Sequence, residues 1–384
     1  MIRYLTAGES HGKALTVIIE GVPAGLKISK KYIETELQKR KQGYGRGPRQ
    51  KIETDEIEIL SGIRFGETIA SPIAILLKNK DFINWQDKMN PEENIPNDYS
   101  PLTCPRPGHA DHAGIIKYNF QDIRNVLERS SARETAMRVV VGAIAKKILT
   151  SCKIKISSYV YSIGSIYSEL TETNINNIEK AKNNSELGVI DKKTEKEMIT
   201  EIDKAQSAGV TLGGKFRIVV NGVPTGLGSY VHWDRKLDAN IAKSIMSIQA
   251  IKGVDFGLGF KSAELSGDKI HDSFTINHNK DNDAKNYFIK RVTNNSGGIE
   301  GGMTNGESII VNVAMKPIPT MKSPLQSYDI NTKKEQTSFY ERSDVTAVTA
   351  ASVIGESVVA VDIVNAILER FGADTMKDLQ SRIK

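Results

Sequence analysis

Apolar residues along this chain run in short stretches that close on Gly and Pro. Residues 14–26 read ALTVIIEGVPAGL and residues 215–227 read KFRIVVNGVPTGL. Proline fixes φ and glycine supplies positive φ, so each predicts a strand ended by a tight turn. Residues 62–77 (GIRFGETIASPIAILL) and 298–313 (GIEGGMTNGESIIVNV) share a second spacing. There Gly66 and Thr68 match Gly302 and Thr304, and an apolar strand follows each pair.

Residues 133–149 (RETAMRVVVGAIAKKIL) and 345–368 are apolar at helical spacing and rich in small side chains. In the first, Ala136, Val139, Val140, Ala143, Ile144 and Ile148 cover most of the circumference, which predicts a helix buried between layers. Ser131 followed by Glu134 predicts a capping box at its start. Residues 168–205 are polar and charged, with helical spacing in their later part, and read as a solvated peripheral excursion. Three echoes in one order predict two pseudo-repeated halves, about 1–150 and 210–384, each of strands and then a long helix. The fold class is α+β, a duplicated unit packed as a single domain over 1–384. Common turn chemistry would give the same echoes without duplication.

Composition narrows the class. With 384 residues, 39% hydrophobic and 26% charged, the chain can bury a sizeable core. A net charge of +6 points to an anionic partner without naming it. Cys104 and Cys152, the only cysteines, sit in no motif, which fits a reducing compartment and no disulfide framework. No leader pattern and no apolar run of membrane-spanning length is expected, so the expected location is the cytoplasm, with no membrane partner. Aromatic residues make up only 6%, no nucleic-acid module is recognisable, and the arginines are dispersed among turns, which argues against nucleic acid.

The candidate chemistry lies in loops. Residues 39–51 (KRKQGYGRGPRQK) set Arg40, Arg46 and Arg49 among glycines. Guanidinium forks match carboxylate and phosphate, so this reads as a loop closing over a polyanion, or as a solvated basic loop. In residues 104–114 (CPRPGHADHAG), Arg106 and His109 flank a Pro-Gly turn. His109 and His112 would suit a metal only on a helix; the turn and the missing third ligand argue for no metal. Arg124, Arg129 and Arg133 surround Ser130 and Ser131 ahead of the apolar helix, as a phosphate site or as a capped helix with surface arginines. Gly8-Glu9-Ser10-His11-Gly12 places a proton handler between glycines. Lys316-Pro317-Ile318-Pro319-Thr320 is a stiff extended segment, and Glu341-Arg342-Ser343-Asp344 precedes the second long helix. These residues describe a protein for a small polyanion, with two histidines and one aspartate to move protons. A nucleic-acid binder and a metal-dependent phosphate-ester hydrolase using His109 and His112 are the competing readings.

Gly8–Pro23, Glu128–Ile144 and Arg342–Val358 resemble the three signature segments of chorismate synthases. The blocks KRKQGYGRG, RPGHAD, GGIEGGMTNGE and AMKPIPT follow the same family in order, so the resemblance covers essentially the whole chain. It implies a layered β-α-β sandwich, a homotetramer, and the last common step of the shikimate pathway. There 5-enolpyruvylshikimate 3-phosphate loses phosphate by 1,4-anti elimination to give chorismate, with reduced FMN required and no net redox change. The resemblance implies that His11 protonates the leaving phosphate with Ser10 orienting it, that His109 serves the N1 side of the flavin, and that Asp344 acts near N5. It implies FMN contacts from Arg129, Ser130, Ser131, Gln249, Ala250, Gly301, Lys316, Pro317, Ile318, Pro319, Thr320 and Arg342. Arg40, Arg46, Arg49, Arg106 and Arg133, with Arg342, would bind substrate; the same arginines are candidates for NADP. No segment is long enough for a flavin reductase domain, so an external reductant is expected. Lys41 stands where the family often has Gln, and His112 where an apolar residue is common.

Overall fold

The structure is a computed structural model and describes residues 1–47, 52–93, 95–276, 289–341 and 343–383. Its strands, in chain order, are β1 (Arg3–Ala7), β2 (Ala14–Glu20), β3 (Ile57–Ile59), the hairpin β4–β5 (Ile63–Arg64, Glu67–Thr68) and β6 (Ile73–Lys78). Then come β7 (Lys155–Ile163), β8 (Ile166–Tyr167), β9 (Gly214–Asn221) and β10 (Ile251–Phe256). The pair β11–β12 (Phe274–Ile276, Ile289–Arg291), the hairpin β13–β14 (Ile299–Glu300, Met303–Thr304) and β15 (Ile309–Met315) follow. One antiparallel sheet runs β1-β2-β6-β3; a second runs β10-β15-β9-β7-β8.

The main helices are α1 (Lys30–Lys41), α2 (Asp111–Tyr118), α3 (Arg124–Ser130), α4 (Thr135–Ser151), α5 (Ile175–Lys182), α6 (Lys192–Ala208), α7 (Leu237–Met246) and α8 (Val348–Phe371). Helix α4 packs on α8 and α1, and reaches β2; α8 packs on β7 and β9. A single apolar cluster joins Leu15, Val17 and Ile19 of the first sheet to Val140 and Ile144 of α4, Val359 and Ile363 of α8, and Ile218 and Val311 of the second sheet. The chain is therefore a mixed helix-and-sheet protein with one main core, and a small second cluster of Tyr159, Ile175, Ile178 and Val219 under α5. The two long helices touch at Gly142, where a Cβ would lie 2.2 Å from the Ser357 Cβ. Only a residue without a side chain allows that approach.

The two Gly-Val-Pro-x-Gly-Leu turns make the same bonds. The Thr68 hydroxyl donates to Pro23 O at 2.6 Å and accepts from Leu26 N at 2.9 Å. The Thr304 hydroxyl donates to Pro224 O at 2.6 Å and accepts from Leu227 N at 2.8 Å. Each threonine is buried and satisfies a turn's backbone groups.

Four expectations change. Arg40 lies in the last turn of α1, not in a loop, because α1 continues to Lys41. The capping box does not form: Ser131 N bonds Leu127 O, Glu134 pairs with Arg138, and a 3₁₀ turn (Ala132–Glu134) leads into α4. The excursion 168–205 is not only solvated, since Leu187, Val189, Met198 and Ile202 enter the core. It also backs the basic loop: Tyr44 N donates to Glu186 O at 3.1 Å, and Tyr44 OH to Asp203 at 2.8 Å. Helix α8 has the length and hydropathy to cross a membrane, but 89% of its apolar window is buried inside the protein.

The core also holds charge that apolar periodicity hid. Lys146 of α4 bonds Glu36 of α1 at 2.9 Å and Glu356 of α8 at 2.5 Å, and Lys182 of α5 reaches Glu356 at 2.9 Å. Burial opposes the Glu356 charge, but Lys146 and Lys182 outweigh it and hold the carboxyl well below its usual range.

Candidate active site

A cavity of about 530 Å³ opens where the end of α1, the start of α4, the Gly8–Gly12 turn and the segment after β15 meet. That volume is typical of small-molecule sites. Ser10, His11, Arg40, Arg46, Arg106, His109, Arg133 and Asp344 all line it. So do Ser130, Ser131, Gln249, Ala250, Lys316, Ile318, Pro319 and Thr320. Residues hundreds of positions apart in sequence converge here.

The arginines arrive already partnered. Arg133 Nη1 donates to Asp55 at 2.6 Å and its Nε to Asn79 at 3.1 Å. Asp55 itself sits at φ +54°, a left-handed position that Asp tolerates better than most residues. Arg40 Nε donates to Thr135 Oγ1 at 3.1 Å and Nη2 to Ala132 O at 3.0 Å. Burial is the largest influence on Arg40; Asp55 opposes it and Arg133 and Arg46 add to it, bringing the guanidinium down to about 10. A buried group of like charges that lowers an arginine in this way favours an anion in their midst. Arg46 stands 3.2 Å from Asp344, yet among the described residues its buried Nε and Nη1 make no hydrogen bond. Unpaired buried donors are costly, so Arg46 is the guanidinium best placed to gain from a bound anion.

The two histidines each rest on a carboxylate. His11 Nδ1 lies 2.8 Å from Glu128 Oε1, and both side chains are buried. Ser131 Oγ donates to Ser10 Oγ at 3.1 Å beside it. His109 Nδ1 lies 2.5 Å from Asp111 Oδ1, in the turn that Gly108 makes at φ +78°. Asp111 also takes two bonds from the Arg106 side chain, at 2.8 and 3.0 Å, while Arg106 Nη1 reaches Thr320 Oγ1 at 3.1 Å. Burial alone would raise the Asp111 carboxyl. The bonds from His109 and Arg106 reverse this and hold it far below its ordinary value. His112 points elsewhere: it is exposed on α2, with Nδ1 2.8 Å from Tyr328 OH. His109 and His112 therefore do not form a shared ligand pair. Among the described residues, no group of three His, Cys, Asp or Glu could hold a metal ion.

Next to the His109 turn, Lys316 Nζ donates to Gly108 O at 2.5 Å and Lys316 N to Ala250 O at 2.9 Å. Ala250 adopts φ +65°, a strained value for a residue with a Cβ, and the buried Gln249 Oε1 has no partner.

Three of the sequence candidates stand outside this cavity. Arg129 is exposed and clamps the chain's start, donating to Gly8 O at 3.0 Å and Thr6 O at 2.9 Å. Pro317 is exposed, and Gly301 is at the exposed tip of β13–β14 at φ +59°. Arg49 and Arg342 lie outside the described residues. Sequence reading missed Asp55, Glu128 and Asp111, the carboxylates that set the cations and histidines. Asp111 stands two residues after His109 and Glu128 opens a motif block, but neither spacing says which base it meets.

The chain is similar to known proteins over its whole length. The family profile described as "Chorismate synthase" matches residues 2–368. A chorismate synthase of Geobacter metallireducens is 50% identical over 382 residues, covering 99% of this chain and 97% of that protein. One of Aquifex aeolicus is 49% identical over 392 residues, covering 100% and 96%. A solved structure, "Crystal Structure of Chorismate Synthase", superposes with a TM-score of 0.79 at 41% identity, covering 99% of this chain and 96% of that one.

Proposed function

This chain belongs to the chorismate synthase family, and on that premise we propose that it is a lyase forming chorismate from 5-enolpyruvylshikimate 3-phosphate by 1,4-anti elimination. The observation that carries the reading is one cavity lined by four guanidiniums together with His11, His109 and Asp344. A substrate with a phosphate and two carboxylates needs such a ring of cations; a neutral ligand does not.

The cavity also suits FMN. Gln249 Oε1 is buried without a partner, and the hydroxyls of Ser130 and Ser131, the Lys316 ammonium and Thr320 supply polar contacts around apolar Ile318 and Pro319. We assign the cofactor to these residues and to Ala250; Arg129, Pro317 and Gly301 do not reach the cavity of one chain. When bound, reduced FMN supplies electron density to a carbocycle whose C6 hydrogen is not acidic and whose phosphate leaves poorly.

The protein's own groups handle charge and protons. Arg46, with Arg40, Arg106 and Arg133 around it, holds the anionic groups and excludes water. His11, with Nδ1 engaged by Glu128, keeps Nε2 for a proton to the departing phosphate, and Ser10 orients it. Asp344, on leaving its contact with Arg46, assists removal of the C6 proton near flavin N5. His109 faces the flavin from between Asp111, which engages Nδ1, and the Arg106 guanidinium, whose Nη2 lies 3.3 Å from Nε2. Separated acid and base need distinct surroundings, which Glu128 and Arg46 provide.

We read the architecture as one domain, a β-α-β sandwich of two repeated halves, supported by the matching Thr68 and Thr304 turns. Exposed Leu5, Phe65, Trp233 and Phe260 support a homotetramer. Two free buried cysteines are compatible with the cytoplasm. Reduced FMN would come from an external reductant, and NADP would compete for the same arginines. The test is an anaerobic assay with reduced FMN and the enolpyruvyl substrate, following chorismate absorbance. Product that requires reduced flavin is expected; phosphate release that needs no flavin and is abolished by a chelator would overturn the reading.

A further inference from the structure

His11 is held by a single residue of α3. Glu128 Oε2 accepts the His11 backbone N–H at 2.7 Å, its Oε1 meets the ring Nδ1 at 2.8 Å, and its carbonyl accepts from Ser10 N at 2.9 Å. Backbone and ring of the glycine-flanked turn are thus fixed together. The carboxylate is shared: Arg124 Nη1 donates to Glu128 Oε1 at 3.0 Å, and Arg124 Nη2 donates to Glu341 at 3.2 Å. Trp85 closes the group, its ring 4.1 Å from the His11 ring and 4.6 Å from the Arg124 guanidinium. Burial raises the Glu128 carboxyl, but the His11 bonds and then Arg124 outweigh this and keep it below its ordinary value.

A carboxylate on one ring nitrogen fixes the tautomer and leaves the other nitrogen for chemistry. It also favours imidazolium, the form that can give up a proton, while a neighbouring guanidinium disfavours it. We propose that Glu128 is the positioning residue of the proton donor His11, and that Arg124 tempers the pair by sharing the carboxylate and tying it to Glu341. The phosphate as proton acceptor rests on the proposed elimination; the ion pair does not. Among the described residues, the charged groups packed on this unit are Glu128 and Arg124 on α3, Glu341 beyond Arg124, Glu9 packed against Gly12 in the His11 turn, and Lys88 over the Trp85 ring at 5.7 Å; across the cavity that His11 lines stand Arg40, Arg46, Arg133 and Asp344.

The consequence is a pair of opposite shifts. The chain has two tryptophans, so a Trp233→Phe background leaves Trp85 as the sole reporter. Imidazolium quenches a stacked indole, and Trp85 fluorescence in the ligand-free protein then follows His11 protonation. The midpoint should fall in Glu128→Gln and rise in Arg124→Gln. The alkaline limb of the kcat profile should shift with each, and Glu128→Asp should restore most of the wild-type profile. A folded Glu128→Gln protein whose midpoint and limb stay in place overturns the proposal, even if turnover falls. Should Glu128→Gln not fold, the Arg124→Gln midpoint decides, and no upward shift there overturns it. Failure of the elimination reading shows separately, as no chorismate from the wild type with the fluorescence shifts intact.

Discussion

Arg46 Nη1 stands 3.2 Å from Asp344 Oδ2, while the adjacent Gly47 N–H donates to Asp344 Oδ1 at 2.6 Å. Asp344 thus fills the position of an anion on the basic loop, and among the described residues the buried Arg46 Nε and Nη1 still lack hydrogen bonds. On the proposed function, a substrate phosphate or carboxylate would satisfy those donors and release Asp344. One charge-assisted contact is worth about 1.5–3 kcal/mol, so Arg46→Ala should weaken substrate binding roughly 10- to 150-fold. Arg46→Lys should recover only part, because an ammonium cannot reproduce the fork. Calorimetric titration with the enolpyruvyl substrate measures both; unchanged affinity in Arg46→Ala removes the loop from the binding site.

Asp111 is the counter-ion of a buried cation, with Arg106 only 6% exposed. Asp111→Asn leaves Arg106 with no carboxylate, and breaking a buried pair costs about 3–5 kcal/mol. The pH dependence has a defined sign. Burial opposes the Asp111 charge, but His109 and Arg106 depress the folded-state carboxyl below its unfolded value. Its stabilisation is complete above the unfolded carboxyl range and is lost as pH falls below about 5. Denaturant midpoints at a series of acid pH values should therefore fall more steeply for wild type than for Asp111→Asn. Parallel curves would show that Asp111 contributes no such linkage.

Strands β2, β6, β9 and β15, the turns beside them and both long helices were legible because each follows a period or a turn rule visible over a few residues; β1, β3, β7 and β10 carry no such turn signature and were not read. The cations and proton handlers were legible as types: Arg, His and Ser beside Gly and Pro. What could not be read was pairing. Asp55 meets Arg133, Glu128 meets His11 and Glu356 meets Lys146 only because sheets and helices bring distant segments together. Arg40 looked like a loop residue because Gly43 and Gly45 follow closely, yet α1 carries it into the cavity wall. The excursion 168–205 looked peripheral because few of its residues are apolar, but Leu187, Val189, Met198 and Ile202 among them enter the core.

Gly142 limits how close α4 and α8 can lie. A methyl there would meet Ser357 Cβ at 2.2 Å, so the helices would have to separate. Overpacking of this kind costs about 1–3 kcal/mol. The expected result for Gly142→Ala is a lower denaturation midpoint. Turnover should fall as well, because α4 and α8 both contribute cavity walls. Gly142→Ala with wild-type stability would mean that the interface yields without cost.

Asp362 on α8 supplies the opposite pH signature from Asp111. Burial pushes its carboxyl up to about 7, against the smaller effects of the Ser244 hydroxyl and Lys243. Ser244 Oγ donates to Oδ1 at 3.0 Å, while the buried Oδ2 has no partner. The folded state therefore binds a proton that the unfolded chain has already lost above about pH 4. Stability falls as pH rises from there to about 7, by on the order of 2–4 kcal/mol. Asp362→Asn cannot ionise, so its denaturation midpoint should be flatter over that window and higher than wild type at about pH 8. A variant that tracks wild type across the window would place the Asp362 carboxylate in contact with water instead.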